Sequence, residues 1–290
     1  MIRQMRYFIA VVESGNFGEA GEVCHISQSA ISQQVQALEN DLDVKLLDRH
    51  GRKFDVTPAG QYFYQRSKQQ IGEIESLIRE VRRIGKGEHQ NLRIGVLNGF
   101  SSKLMQSAIG AFASEHPNVA MSLRTGTHEE IFQWLLAGQL DMVINDQRRA
   151  LSDQWFNEFL MDQQVYALVR QDVVEANPGG IELGDLKAMQ CILVAGPEYL
   201  EAEVSYWRDV VGLSSDILFT ENMDTALMNV STGAGFLPCD HDVPSQGGNV
   251  RLPILRSGVP LTRKMYAFWP EQADFSLQKE FSDMLRTHIQ

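Results

Sequence analysis

The chain is poor in cysteine and has no long apolar run, and both absences narrow its class. Its 290 residues include three cysteines, an odd and widely spaced set that does not suit a disulfide framework. A membrane helix needs about 18 consecutive apolar residues, and no such run occurs. The first residues lack the basic and then apolar pattern of a secretory signal. We therefore expect a cytoplasmic protein in a reducing compartment, with no membrane association.

The sequence also lacks the common short motifs of catalysis. It contains no serine-hydrolase elbow, zinc-hydrolase helix, phosphate-binding loop or glycine-rich dinucleotide fingerprint, and its seven histidines are scattered. The stretch Cys239–Asp242 holds three kinds of metal-ligating side chain, but neighbours in an extended loop point to opposite sides. We therefore predict no enzyme, no metal site and no cofactor.

The formal net charge of −11 argues at first against a nucleic-acid partner. The acidic excess, however, is confined to one part of the chain. Residues 1–90 carry 12 basic and 12 acidic side chains, whereas residues 91–290 carry 14 and 25. A neutral N-terminal module can still present a basic face, and Arg49, Arg52 and Lys53 form such a cluster.

Residues 1–57 predict three short helices and a hairpin. Asn16 can cap the second helix, with Glu19 three residues later as in a capping box, and Ser27 can cap the third. Two short apolar runs around His50-Gly51 predict the hairpin. Short helices joined by tight turns are typical of DNA-binding helix-turn-helix modules.

The third helix lies in a stretch without lysine or arginine, HISQSAISQQVQALE. Ile31, Val35 and Leu38 form an apolar stripe, and most of the remaining positions are serine and glutamine. Glutamine can bind adenine through two hydrogen bonds and serine can donate or accept, so this neutral face suits base edges in the major groove. Phosphate contacts would then come from the basic hairpin. The alternative is an ordinary solvent-exposed face on a helical bundle.

A long helix is predicted from Thr57-Pro58 to about Arg83. Its inward positions recur at alternating spacings of three and four, as in a coiled-coil seam: Tyr64, Ser67, Ile71, Ile74, Ile78 and Val81. The helix length and the polar segment 85–91 favour a seam between two chains followed by a linker. The alternative is a helix packed on its own domain.

From Leu92 onward, short strand candidates alternate with amphipathic helices. The strand candidates are predicted at 92–97, 119–125, 140–145, 165–170, 191–196, 216–221 and 263–269. The helices are predicted at 103–115, 129–137, 201–210, 223–232 and 275–289. This alternation predicts an α/β domain with a largely parallel sheet, in one lobe or in two.

The stretch Met5–Gly60 resembles the winged helix-turn-helix of the LysR-type transcriptional regulators. Its matching positions share one register: Phe8, Ser14-Gly15-Asn16-Phe17, Ala20, Ser27-Gln28, Ser32, Leu38-Glu39, Leu42, Lys45-Leu46, Arg49, Arg52, Thr57 and Ala59-Gly60. Weaker matches near Leu92, at 138–141 and at 233–238 extend the resemblance over the chain. The resemblance implies a sequence-specific DNA-binding regulator that a small polar metabolite controls.

The implied fold is α/β with an all-α winged helix-turn-helix domain at residues 1–57. A dimerisation helix and hinge would occupy 58–90, and an effector-binding domain 91–290. That last domain would resemble a periplasmic binding protein, with lobe I at about 91–161 and 265–290 and lobe II at about 162–264. The expected partners are double-stranded DNA, the effector, further copies of the chain in a homodimer or homotetramer, and RNA polymerase.

The resemblance also implies which side chains bind. Base and backbone contacts to DNA would come from Gln28, Ser29, Ser32 and Gln33, and phosphate contacts from Arg49, Arg52 and Lys53. Residues at strand ends would face the effector: Asn98, Ser101, Ser102, Thr127, Asn145, Ala195 and Thr225. Each serine or threonine among them could instead cap a helix. Six positions depart from the usual family pattern: Gly21, Cys24, Ser29, Gln33, Asp43 and Leu47. Among them, Gln33 replaces a frequent arginine and Asp43 a usual glycine.

Two other interpretations stay open. A regulator of the same architecture could sense oxidants through paired cysteines, although Cys191 and Cys239 do not share a short loop and Cys24 takes a core-like position. The second interpretation is a solute-binding protein that does not bind DNA, and the N-terminal module argues against it.

We predict that Gln33→Ala lowers the affinity for the preferred DNA site alone, by about 1–3 kcal/mol, because it removes a base contact. Arg52→Ala should instead weaken binding to all sequences and reduce the salt slope, because it removes a phosphate contact. Titrations of specific and random duplexes at two salt concentrations measure both effects. Equal losses on both duplexes for Gln33→Ala would refute its role in base recognition.

Overall fold

The computed structural model describes residues 1–50, 53–86, 90–100, 102–148, 150–151, 155–174, 177, 179–240, 243, 248–270 and 276–289. The chain divides into two compact units. The first comprises Met1–Glu88 with Leu136–Gln139, and the second His89–Leu135 with Leu140–Gln290. Within the described ranges, every helix is too short or too polar to cross a membrane.

The first unit is a helical domain with a two-stranded wing. Its elements are α1 (Ile2–Ser14), α2 (Phe17–Val23), α3 (Gln28–Leu42), β1 (Leu47–His50), β2 (Lys53–Val56) and α4 (Pro58–Lys86). The two strands pair antiparallel. The helices enclose a core that includes Phe8, Val11, Ile31, Val35 and Leu38, each fully buried, and each large side chain of this kind contributes about 1.5–3 kcal/mol. The predicted winged helix-turn-helix is confirmed.

The ends of the short helices follow from local residues. Gly15 takes a left-handed conformation after α1, with φ of 69°, as glycine does most readily. Asn16 Oδ1 accepts a hydrogen bond from the Glu19 backbone N–H at 2.7 Å, and Ser27 Oγ accepts one from Ala30 N–H at 3.2 Å. Both predicted caps are confirmed: Asn16 fixes the start of α2, and Ser27 fixes the start of α3.

The long helix α4 divides its apolar residues between two environments. Thr57 Oγ1 caps it by accepting from Gly60 N–H at 2.9 Å. Tyr64 packs against the core of the N-terminal domain, so the start of the predicted seam serves the helix's own domain. Ile78 and Val81, near the other end, are 41% and 60% exposed.

The second unit contains the remaining strands and helices. In chain order these are β3 (Gln90–Leu97), α5 (Ser102–Glu115), β4 (Val119–Gly126), α6 (His128–Leu136), β5 (Met142–Asp146), β6 (Trp155–Gln164), β7 (Tyr166–Arg170), β8 (Ile181–Glu182), β9 (Gln190–Val194), α7 (Leu200–Ser205), β10 (Ile217–Thr220), α8 (Met223–Thr232), β11 (Gly235–Cys239), β12 (Asn249–Arg256), β13 (Val259–Pro260), β14 (Thr262–Pro270) and α9 (Ser276–Ile289). A π-helical turn at Tyr206–Val210 continues α7. The five predicted helices are present.

These strands form two sheets, which define lobes I and II. In lobe I the order is β4-β3-β5-β14-β6, with β3 parallel to β4 and β5, and β14 antiparallel to β5 and β6. In lobe II the order is β10-β9-β11-β7-β12-β13, with β8 beside β12. The expectation of a largely parallel sheet was wrong, because β14 returns to lobe I against the direction of β5, and β7 runs against β11.

Candidate functional site

The first turns of α3 present hydroxyl and amide groups to solvent. Gln28, Ser29 and Gln33 are exposed and Ser32 is half-buried, whereas the apolar stripe on the other side of α3 is fully buried. The uncharged side chains therefore form an accessible surface with donors and acceptors, as base edges require.

The wing contacts this surface through Arg49. Its Nη1 donates to Ser32 Oγ at 2.9 Å, and its guanidinium lies 4.8 Å from the ring centre of Phe17. Because Ser32 Oγ accepts from Arg49, its own proton remains available to donate. Lys53 is exposed on β2, and Arg52 lies outside the described residues.

A buried carboxylate fixes the wing to α3. Glu39 is 2% exposed, and its Oε1 accepts from the backbone N–H groups of Leu46 at 2.8 Å and Leu47 at 3.0 Å. Asp43 ends α3 in the left-handed conformation, with φ of 52°. The substitution of Asp43 for the usual glycine therefore preserves the turn that leads to the wing.

In the second unit, a buried ionic cluster lies at the carboxyl end of β5. Asp146 is 1% exposed. Its Oδ1 lies 2.8 Å from His128 Nδ1, and Arg148 Nε donates to Oδ1 and Oδ2 at 3.0 and 3.1 Å. Burial alone would raise the pKa of Asp146, but Arg148, His128 and Arg263 outweigh it and hold that pKa well below its usual range. The carboxylate is therefore charged.

Arg148 also reaches lobe II. Its Nη1 donates to Glu203 Oε1 at 2.8 Å, and its guanidinium lies 3.8 Å from the ring centre of Tyr206. Glu203 belongs to α7, and Tyr206 to the π-helical turn that follows it. One guanidinium thus binds a carboxylate from each lobe.

A small cavity of about 60 Å³ lies beside this cluster, between the lobes. Lobe I lines it with polar groups that include Asn98, Thr127, Arg148 and Arg263. Lobe II contributes Glu203 and mainly apolar side chains, among them Ile192, Val194, Trp207 and Met223. The volume suffices for roughly four water molecules, so a ligand there must be small or must separate the lobes.

Comparison with models of known protein families shows which family the chain belongs to. The bacterial regulatory helix-turn-helix model of the lysR family matches residues 2–61, and the LysR substrate binding domain model matches residues 85–290. The chain belongs to the LysR family. It is a DNA-binding transcriptional regulator with an N-terminal helix-turn-helix domain and a C-terminal effector-binding domain.

Individual relatives agree with this assignment. The chain is 30% identical to the uncharacterized HTH-type transcriptional regulator YnfL of Escherichia coli (strain K12), over 95% of this chain and 94% of that protein. It is 33% identical to the SDS degradation transcriptional activation protein of Pseudomonas sp. (strain ATCC 19151), over 52% of this chain and 50% of that protein. Full-length CbnR, crystallised with its target DNA, shares the fold with a TM-score of 0.59 and 22% identity, over 99% of each chain.

The structure separates the predicted effector residues of this LysR-type regulator. Asn98 and Thr127 line the cavity. Asn145 is buried, with its Nδ2 donating to His128 O at 3.2 Å, and Ala195 is buried as well. Thr225 is exposed on α8, and none of these last three is among the cavity-lining residues described. Ser102 begins α5, and Ser101 lies outside the described residues. Their roles in effector binding stay predictions.

Three charged cavity residues escaped the sequence analysis: Arg148, Glu203 and Arg263. Arg148 could have been suspected, because it follows Asp146 at the end of a strand, where open α/β domains bind ligands. Glu203 and Arg263 carry no local sign of burial, since isolated charged residues are usually exposed.

The cysteines are poorly placed for redox sensing. Cys191 packs on one face of the lobe II sheet and Cys239 on the other. Cys191 is opposite Phe236, three residues before Cys239, so the two Cα atoms lie roughly 10 Å apart along and across neighbouring strands, too far for a disulfide. Burial raises the pKa of both thiols, that of Cys239 to about 12.

Metal binding by Cys239–Asp242 has no further support. His241 and Asp242 lie outside the described residues, and the part of the chain that is described contains no cluster of three metal-ligating side chains.

We predict that Cys191 and Cys239 resist thiol reagents at pH 8 in the folded protein, because burial raises their pKa values and blocks access. Cys24, which is partly exposed, should react first. A disulfide-exchange chromophore counts the reacting thiols, and unfolded protein, in which all three react, provides the control. A peroxide-induced disulfide between Cys191 and Cys239 in folded protein would restore the redox interpretation.

Proposed function

We propose that a small polar metabolite binds in the cavity between lobes I and II of this LysR-type regulator and changes how the N-terminal domain engages DNA. The observation that carries the proposal is the cavity itself, which both lobes line and in which Arg148 binds a carboxylate from each. A ligand that touches both lobes binds one arrangement of the lobes better than another, and such a difference in affinity can shift the equilibrium. The proposal requires no other cofactor.

On the DNA side, the exposed Gln28, Ser29 and Gln33 would contact base edges. Ser32 would donate to the DNA while Arg49 holds its oxygen, so these two residues would act as one unit. Lys53 and Arg52, in the wing hairpin, would bind phosphates. Base contacts and phosphate contacts would thus come from different side chains, because neutral amides and hydroxyls discriminate between bases whereas cations attract every phosphate alike.

Self-association would pair two such domains. Leu77, Ile78 and Val81 are exposed on α4, Leu77 by 63%, and such neighbouring apolar side chains on one helix suit a helix–helix contact between chains. A homodimer or homotetramer is therefore part of the proposal, as is contact with RNA polymerase once the regulator is on DNA.

The proposal is tested by two measurements on the full chain. Genome-wide mapping of bound DNA supplies the operator, and a library of single amino acids, organic acids and sugars is then screened by thermal shift. At least one compound should raise Tm and change the affinity for the operator. If every compound leaves both values unchanged, or if the protein binds no operator selectively, the proposal fails.

With a compound from that screen, we predict that Thr127→Val weakens binding about three- to tenfold, because it removes one hydroxyl from the cavity wall. The affinity for operator DNA without the compound should stay unchanged. Thr225→Val, at an exposed position outside the described cavity lining, is the matched control and should leave both affinities unaltered. An unaltered response of Thr127→Val would exclude Thr127 from the binding site.

A further inference from the structure

Arg263 keeps hydrogen-bonding capacity that the protein does not use. Its side chain, on β14 of lobe I, lines the cavity and is 11% exposed. Among the described residues its buried Nε has no hydrogen-bond partner, and its Nη1 lies 3.7 Å from Asp146 Oδ2, beyond hydrogen-bond distance. A buried guanidinium left in this way favours an acceptor, above all a carboxylate, from a ligand.

Glu203 offers the complementary group from lobe II. It lines the same cavity and is 7% exposed. Within the described part of the chain, its carboxylate accepts one side-chain hydrogen bond, from Arg148 to Oε1, which leaves Oε2 without a donor. A buried carboxylate with a free oxygen favours a donor, above all an ammonium group.

The charges of the cluster determine which charged groups a ligand should carry. Apart from His128, the cluster holds two carboxylates, Asp146 and Glu203, and two guanidiniums, Arg148 and Arg263, so these four charges cancel. A simple anion would satisfy Arg263 and leave Glu203 short of a donor, whereas a simple cation would do the reverse. A ligand with both charges satisfies both side chains and keeps the buried site neutral.

We propose that the cavity binds a small aliphatic α-amino acid, with its carboxylate on Arg263, its ammonium on Glu203 and its side chain against the apolar wall of lobe II. The wall is formed by residues such as Val194, Trp207 and Met223, and the small volume excludes large side chains. The amino acid would link β14 of lobe I to α7 of lobe II. This inference rests on the proposed effector cavity and names the class of its ligand.

Calorimetric titration of the full chain with matched compounds tests the inference. L-valine is compared with 3-methylbutanoate, which lacks the ammonium, and with 2-methylpropylamine, which lacks the carboxylate; L-alanine, propanoate and ethylamine form a smaller set. At least one amino acid should bind, and at least about tenfold more tightly than either of its analogues, because each analogue leaves a buried charge without its partner.

Two variants locate the ammonium site. Glu203→Gln keeps an oxygen for Arg148 but removes the negative charge, so it should weaken amino-acid binding at least about tenfold. It should also reduce the ratio between the affinities for L-valine and for 3-methylbutanoate, because the ammonium group loses its partner. Glu201→Gln, at an exposed position on the same helix, is the control and should bind as the unaltered chain does. Tryptophan fluorescence confirms that both variants are folded.

Equal binding of an amino acid and its carboxylate analogue, or binding of neither amino acid at millimolar concentration, would overturn the inference. If the chain still binds its operator and responds to another compound of the library, only the ligand class is wrong. If no compound of any class binds, the proposed effector cavity fails as well.

Discussion

The effector-binding domain depends on a single guanidinium that lies between two buried carboxylates. Arg148 binds Asp146 at the end of β5 and Glu203 on α7, and it thereby joins the two lobes at the wall of their cavity. Removing charges from water is unfavourable, so a buried cluster of this kind is stable only when each charge has its partners, and the loss of one partner typically costs about 3–5 kcal/mol. This contact holds Glu203 of lobe II close to Asp146 of lobe I, beside the cavity that both lobes line.

The DNA-binding domain uses the same physics for a different purpose. Glu39 is buried and accepts from two backbone N–H groups at the start of the wing, so the hairpin cannot turn freely relative to α3. In the proposed DNA complex, a rigid joint would hold the wing cations at the phosphates while the neutral side chains of α3 contact the bases. In both domains, a buried carboxylate orients the side chains of a proposed binding surface.

Local features of the chain could be predicted from the sequence because neighbouring residues determine them. The caps at Asn16 and Ser27 and the hairpin at His50 each involve residues within a few positions of one another.

Strands β6 and β12 were missed because both mix polar and apolar residues and are only partly buried, which weakens the strand pattern. The ionic cluster could not be predicted, since Arg148 and Glu203 are 55 positions apart and meet only when the lobes pack. The family resemblance implied that Thr225 faces the effector, whereas the structure places it at an exposed position on α8.

Urea unfolding followed by tryptophan fluorescence tests the role of Arg148 most directly. All four tryptophans belong to the second unit, so the signal reports on the effector-binding domain alone. Arg148→Met should lower the free energy of unfolding by about 3–5 kcal/mol, because it removes the cation that the buried carboxylates of Asp146 and Glu203 share. Adding Glu203→Gln, which leaves Asp146 beside Arg263, should restore part of that loss. A loss below about 1 kcal/mol for Arg148→Met, or no recovery in the combined variant, would contradict the account.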